Sequence, residues 1–135
     1  FFTTVWAQAS HIGFPTAGTT LHFGQKFTVQ IVRPNSIEGS IEVRIAIGIL
    51  SCPTSQEAVC PSPAGQLSDI LFVGQFNPTI HPMAMFYENF TVTMPPAEDF
   101  FAPGRAQLAV ARLHLIGAGP APILELNNIT VNVIN

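Results

Sequence analysis

Charge is scarce in this sequence. Of its 135 residues, 10% are Asp, Glu, Lys or Arg, whereas about a quarter is usual for a soluble domain. The net charge of −3 at pH 7 supplies no basic face, which argues against nucleic acid as a partner. A chain with little charge and much Thr, Asn and Pro is typical of a secreted β protein. Its length favours a single domain, residues 1–135, with a core of its own.

Long hydrophobic runs are also absent. The longest, residues 45–50, is far shorter than the roughly 20 residues that cross a bilayer, so it predicts a buried strand and no membrane span. The chain starts at Phe1 without an initiator Met, a basic segment or a cleavage site, and it ends without a hydrophobic tail. We therefore expect a mature, secreted, extracellular form that carries no membrane anchor.

Cysteine occurs only twice, as Cys52 and Cys60 in SCPTSQEAVCPSP. The spacing is too long for a redox Cys-x-x-Cys motif, and the lack of a second pair argues against a structural zinc site. The surrounding Pro, Ser and Thr residues predict a loop. We expect a local disulfide between the two cysteines, which agrees with secretion. Two free thiols in an intracellular loop are the alternative.

Helix patterns are nearly absent, and an alternation of apolar and polar residues with a period of two recurs instead. It predicts about seven strands, separated by turns that contain Pro or Gly: residues 3–8, 26–32, 40–49, 69–74, 89–94, 106–116 and 128–134. Seven short strands at this spacing predict an all-β sandwich of the immunoglobulin or fibronectin III type. Within 106–116 the apolar residues change face between Val110 and Leu113, so we predict a β-bulge near Arg112.

Two N-glycosylation sequons lie inside predicted strands, at Asn89 and Asn128. Alternate side chains of a half-buried strand face water. In both sequons the Asn and the Thr share the polar face, while the residue between them faces the core. We therefore predict an N-linked glycan on at least one of the two sites, Asn89 and Asn128, leaving the packing undisturbed. The alternative is that both Asn side chains are unmodified and merely solvate a sheet.

Residues for catalysis or metal binding form no recognisable motif. The four histidines, His11, His22, His81 and His114, have no short metal-ligand spacing, so we expect no metal site. We find no nucleophile elbow, no Cys–His pair once the cysteines are bridged, and no two acids that must share a cleft. The prediction is a protein without catalytic residues or cofactors. A metal bound among the histidines would revive the enzyme hypothesis.

Phenylalanine is the abundant aromatic residue, with 11 copies against one Trp and one Tyr. The favoured interpretation is apolar plugs at the ends of the sandwich. The alternative is a contact patch for a receptor or for a second copy of the chain, with the candidates Phe1, Phe2, Val5, Trp6, Phe100 and Phe101. The N-terminal candidates put large apolar groups on both faces of a predicted strand, which favours a homodimer. The scarcity of Trp and Tyr leaves a platform for stacking sugars poorly supplied.

Several short segments follow one another in a characteristic order over nearly the whole chain: GQKFTVQIVRP, IAIGI running into the two-cysteine loop, GQFNP, NFTVTMP and LELNNITV. In this order they resemble the fungal necrosis-inducing secreted protein family, and most closely its mushroom members described as immunomodulatory proteins. The resemblance implies a secreted fungal effector that acts without catalysis, by binding a host immune receptor or a receptor-associated protein. The two-cysteine loop of the family corresponds to Cys52 and Cys60. The alternative function is a carbohydrate-binding or cell-wall accessory module.

Overall fold

A computed structural model describes residues 9–34, 40–52, 59–97 and 102–135. Within these ranges the chain is all-β, apart from a three-residue 3-10 turn at Pro82–Ala84. Nine strands form: β1 His11–Phe14, β2 Thr20–His22, β3 Lys26–Arg33, β4 Ser40–Ser51, β5 Asp69–Gly74, β6 Thr79–His81, β7 Met85–Thr93, β8 Gly104–Ile116 and β9 Ala121–Ile134. The described residues contain no helix that is long and apolar enough to cross a membrane.

The strands make two sheets. One has four strands in the order β1-β3-β7-β6, and the other has five in the order β2-β9-β8-β4-β5. Neighbouring strands are antiparallel, except that β2 runs parallel to β9. The two short strands near the start of the described chain therefore join different sheets.

The core lies between the inner faces of the two sheets, where the predicted alternation places its apolar residues. Phe72 and Phe90 meet across this interface with ring centroids 4.8 Å apart. Each fully buried Val, Ile or Leu side chain contributes about 1.5–3 kcal/mol to folding. The buried members come from both sheets: Phe27, Val29, Ile31, Phe90 and Val92 from one, and Ile45, Ile47, Ile49, Leu108, Val110, Val131 and Val133 from the other.

Six of the seven predicted strands form, as β3, β4, β5, β7, β8 and β9, and the all-β prediction is confirmed. The predicted strand at 3–8 lies outside the described residues. The predicted number of seven is wrong, because β1, β2 and β6 were not anticipated. Each of these has only three or four residues, which is too short for an alternating pattern to stand out.

The predicted β-bulge near Arg112 is not in β8. β8 pairs with β9 from Gly104 to Ile116 without any shift of register. The irregularity lies in the neighbouring strand, where the β4–β8 register shifts between Glu42 and Arg44. The inward phase of β8 therefore continues to Arg112 and His114, both buried, while Leu113 and Leu115 face outward.

Candidate interaction surface

The loop after the disulfide covers one half of the outer face of the five-stranded sheet. The predicted bridge between Cys52 and Cys60 is present. Beyond it, the Pro61 carbonyl accepts a 2.8 Å hydrogen bond from Nε2 of Gln107 in β8. Leu67 lies directly over Gly48 of β4, so that a Cβ on Gly48 would come within 2.7 Å of the Leu67 side chain and carbonyl oxygen. The loop buries Gln107, which is only 2% exposed although it points away from the core.

The other half of the same outer face is apolar and open. We call it the apolar half-face. Its most exposed members are Leu124 (65%), Ile41 (57%) and Val73 (55%). Its residues are neighbours across the strands, because their positions are paired in register: Ile41 with Leu115, Ala46 with Val73 and with Ala111, Leu113 with Leu124, and Ala111 with Leu126. A contiguous apolar surface of this kind marks a contact site more often than a solvated face.

Arg44 brings a positive charge to the apolar half-face. It pairs in register with Leu113, and its side chain is exposed. Residues two apart in a regular strand face the same side of the sheet. The β4 irregularity adds one extra residue, Val43, between Glu42 and Arg44, so that Glu42 faces inward and Arg44 faces outward. Arginine surrounded by apolar groups is a composition enriched where protein interfaces concentrate their binding energy.

A charged cluster lies in the core directly behind the apolar half-face. Arg112 is 0% exposed and donates two hydrogen bonds to Glu42, from Nε to Oε1 at 2.8 Å and from Nη2 to Oε2 at 2.5 Å. Its Nη1 donates to Oε1 of Glu125 at 3.1 Å. Arg33 donates from Nη1 to Oε2 of Glu42 at 3.2 Å. Two guanidinium groups thus balance two carboxylates, which is the condition for holding charges away from water.

Burial and neighbouring charges shift the pKa values of Arg112 and His114 in this cluster. Burial acts to lower the pKa of Arg112, but the hydrogen bond and charge of Glu42, supported by Glu125, leave that pKa above its ordinary value. Burial lowers the pKa of His114, and the positive charge of Arg112 lowers it further, so His114 is neutral at pH 7. Its Nδ1 lies 3.3 Å from Oγ of Ser40. Its Nε2 is buried without a hydrogen-bond partner among the described residues.

The cluster also ties the start of the described chain to β9. The backbone N–H of Ser10 donates to Oε1 of Glu125 at 3.0 Å, and the Ser10 hydroxyl donates to the same oxygen. Nδ2 of Asn127 donates in turn to the Ser10 hydroxyl oxygen at 3.0 Å. These contacts close the core between β1 and β9, which belong to different sheets.

A family model described as the Nis1 family matches residues 6–132. The chain belongs to the Nis1 family. The family is fungal, and the match confirms this part of the resemblance found in the sequence. The immunomodulatory link of particular mushroom members stays a prediction. No curated protein matches the chain.

Both sequons of this Nis1-family protein lie where the alternation predicted. Asn89 is exposed on the outer face of the four-stranded sheet, with Phe90 buried beneath it. Asn128 is exposed on the outer face of the five-stranded sheet, and its Nδ2 donates to Oε1 of Gln107 at 2.9 Å. The positions suit modification, and the glycans themselves stay a prediction.

The other residues singled out in the sequence are the six apolar interface candidates and the four histidines. The interface candidates Phe1, Phe2, Val5, Trp6, Phe100 and Phe101 lie outside the described residues, so the homodimer through the first strand stays a prediction. Among described residues, no three His, Cys, Asp or Glu side chains are grouped to hold a metal ion. Of the histidines, His114 lies in the core and His81 stacks on Tyr87 at 3.6 Å between ring centroids.

Proposed function

We propose that this Nis1-family protein is a secreted fungal effector of the immunomodulatory type, which binds a host immune receptor or a receptor-associated protein and catalyses no reaction. The observation that carries the proposal is the apolar half-face: an open, ordered sheet surface with leucine and isoleucine side chains around Arg44. Family membership and the disulfide support the effector and extracellular parts of the proposal.

The size of the half-face suits the centre of a protein interface. A standard interface takes about 20–30 residues from each partner, with an apolar core inside a polar rim. The half-face supplies eight apolar residues, which is enough for such a core, and surrounding strand ends and loops would supply the rim. A partner that presents an apolar surface with a carboxylate opposite Arg44 fits it best.

We assign the sandwich to the immunoglobulin-like type on its strand order. Immunoglobulin domains place strands A, B, E and D in one sheet and C, F and G in the other. Chain order makes β1, β3, β7 and β6 equivalent to A, B, E and D, and β4, β8 and β9 equivalent to C, F and G. β2 and β5 are then additions at the edges of the second sheet. On this assignment the apolar half-face lies on the C–F–G sheet.

The test compares two isoleucine-to-glutamate substitutions. Ile41→Glu places a charge in the half-face, and Ile80→Glu places the same charge on β6 of the other sheet, where Ile80 is 64% exposed. We expect Ile41→Glu to weaken capture of the partner from immune-cell membranes by about tenfold or more, because a carboxylate would be buried against apolar groups. Ile80→Glu should bind and induce macrophage cytokines as the unmodified protein does. Equal binding by both variants, with unchanged melting temperatures, would refute the surface.

A carbohydrate-binding or cell-wall accessory module is the second candidate. The observation that favours it is an open groove of about 460 Å³ between β5 and β7, lined in part by Asp69, Thr91 and Thr93. A carboxylate and two hydroxyls in a groove are suitable partners for sugar hydroxyls. A glycan array decides between the two functions. Selective binding to a polysaccharide that Asp69→Asn abolishes would support the module, and a blank array with intact cytokine release would support the effector.

A further inference from the structure

The outer face of the four-stranded sheet carries a stacked pair of rings beside a sequon. The rings of His81 and Tyr87 are nearly parallel, at 9° between planes and 3.6 Å between centroids. Nε2 of His81 lies 3.1 Å from Oγ1 of Thr79, which holds the imidazole in place. Asn89 follows Tyr87 by two residues on the same strand, so both side chains emerge on the same face. Their Cα atoms are separated by roughly 7 Å, within reach of a sugar attached to Asn89.

The strand register gives the stack a direction. His81 is level with Met85, and Thr79 is level with Tyr87. His81 therefore lies on the side of Tyr87 away from Asn89 along the strand. Asn89 lies on the other side of Tyr87, in the row that β3 continues with Gln30. Tyr87 is half-buried, so part of its side chain is open to solvent.

We propose that Tyr87, supported by His81, is a positioning platform for an N-linked glycan on Asn89: the first N-acetylglucosamine packs its apolar C–H face on the Tyr87 ring. A pyranose has such a face, and contact with an aromatic ring removes apolar surface of both from water. The glycan then lies along the outer face of the four-stranded sheet, on the side opposite to the apolar half-face. The sugar shields this sheet and leaves the half-face open to a partner.

The second sequon provides an internal control. The residue two before Asn128 on the same face is Leu126, which is not aromatic. The Asn128 side chain is instead directed by its hydrogen bond to Gln107. A glycan on Asn128 therefore lacks an aromatic platform, and its contribution to stability should not depend on Tyr87. The inference rests on the secretion included in the proposed function and not on the identity of the partner.

The experiment uses two variants that each keep one sequon, Asn128→Gln and Asn89→Gln, secreted from a eukaryotic host and trimmed enzymatically to a single N-acetylglucosamine. Each sequon variant is made with Tyr87 unchanged, with Tyr87→Phe and with Tyr87→Ala. Every one of these proteins is compared with its own unglycosylated form by denaturant unfolding. The sugar on Asn89 should raise the folded-to-unfolded ratio about two- to tenfold, the range of aromatic contacts. Tyr87→Phe should keep this gain and Tyr87→Ala should remove it. The difference between glycosylated and unglycosylated forms cancels any effect of Tyr87→Ala on the fold itself.

Two results would overturn the platform. One is an unoccupied Asn89 in the secreted protein, seen by peptide mass. The other is a wrong dependence on Tyr87. The stability gain from the sugar on Asn89 would then be unchanged by Tyr87→Ala, or a gain from the sugar on Asn128 would be removed to the same extent. Partner capture by the Ile41→Glu variant is measured separately, so failure of the platform and failure of the effector proposal are distinguishable.

Discussion

The buried charge cluster allows a quantitative test of how the sandwich is held together. In Arg112→Met the guanidinium is removed and an apolar chain about as long as the aliphatic part of arginine remains, so the charge-assisted hydrogen bonds to Glu42 and Glu125 are lost. Glu42 keeps its bond from Arg33, but Glu125 loses its cation while its side chain remains only 17% exposed. Removing one partner of a buried ion pair costs about 3–5 kcal/mol, because the remaining charge is left without compensation. We expect the free energy of unfolding to fall by that amount.

The matched control is the same substitution at the other arginine. Arg33→Met removes a single bond of 3.2 Å to Glu42 from a side chain that is 22% exposed. It also removes a contact between the guanidinium and the Phe86 ring, at 5.1 Å from the ring centre. A single ion-pair bond from a partly exposed side chain and a cation–π contact each contribute about 1 kcal/mol or less. Arg33→Met should therefore cost about 1–2 kcal/mol, clearly less than Arg112→Met.

A third variant separates the loss of attraction from the cost of orphaned charge. In Arg112→Met with Glu42→Gln and Glu125→Gln no carboxylate remains at the cluster, so much of the stability lost in Arg112→Met should return. Urea unfolding at pH 7, followed by circular dichroism, measures all three variants. If Arg112→Met costs no more than Arg33→Met, or if the triple variant is the least stable, the cluster does not act as described.

Two further predictions concern pH and the disulfide. The pKa of His114 is lower in the folded protein than its unfolded value of about 6.5, so the unfolded state binds the extra proton. The free energy of unfolding should therefore fall as the pH drops below about 6.5, by up to about 1.4 kcal/mol per pH unit. His114→Gln should flatten this slope between pH 6.5 and 5, and an unchanged slope would contradict the assignment. Cys52 and Cys60 are eight residues apart, and reduction of their disulfide should lower the free energy of unfolding by about 2–3 kcal/mol and leave the fold intact. Urea unfolding with and without reductant measures this difference. Labelling of both thiols before reduction would show that the bridge is absent in solution.

Alternation in the sequence located the six longer strands but not all of their bounds: β7 begins at Met85 and not at Asn89, and β9 begins at Ala121 and not at Asn128. β5 matches the predicted bounds, and β3 matches within one residue. The short strands could not be read, because three or four residues carry too little pattern and their pairing depends on where β9 and β7 lie. The outward positions of Asn89 and Asn128 followed from the same alternation. Their neighbours across the sheet, such as His81 beside Tyr87, required the register.

The cluster was missed for a physical reason. A pattern assigns arginine to solvent by default, since an isolated buried charge is costly. The apolar residues of β8 change face between Val110 and Leu113, so the prediction turned the strand over near Arg112 with a bulge. Compensation becomes visible only when the strands are aligned, because Arg112 is level with Glu125 in β9, and the β4 irregularity brings Glu42 to the same place. The signal lay in one arginine, Arg112, and two glutamates, Glu42 and Glu125, at inward positions of three strands that lie far apart in the sequence.

The charged cluster and the apolar half-face are two consequences of one phase along β8. If β8 had turned over at Arg112, Leu113 and Leu115 would have entered the core and the guanidinium would have faced water. Instead the inward positions hold Arg112 and His114, so Leu113 and Leu115, which follow them, must face outward, where β9 adds Leu124 and Leu126. The compensated charges behind the sheet permit this arrangement. The contact surface proposed for a partner therefore depends on the cluster. Arg112→Met should weaken partner capture as well as folding, whereas the triple variant, which has no carboxylate at the cluster and keeps the same phase, should recover much of both.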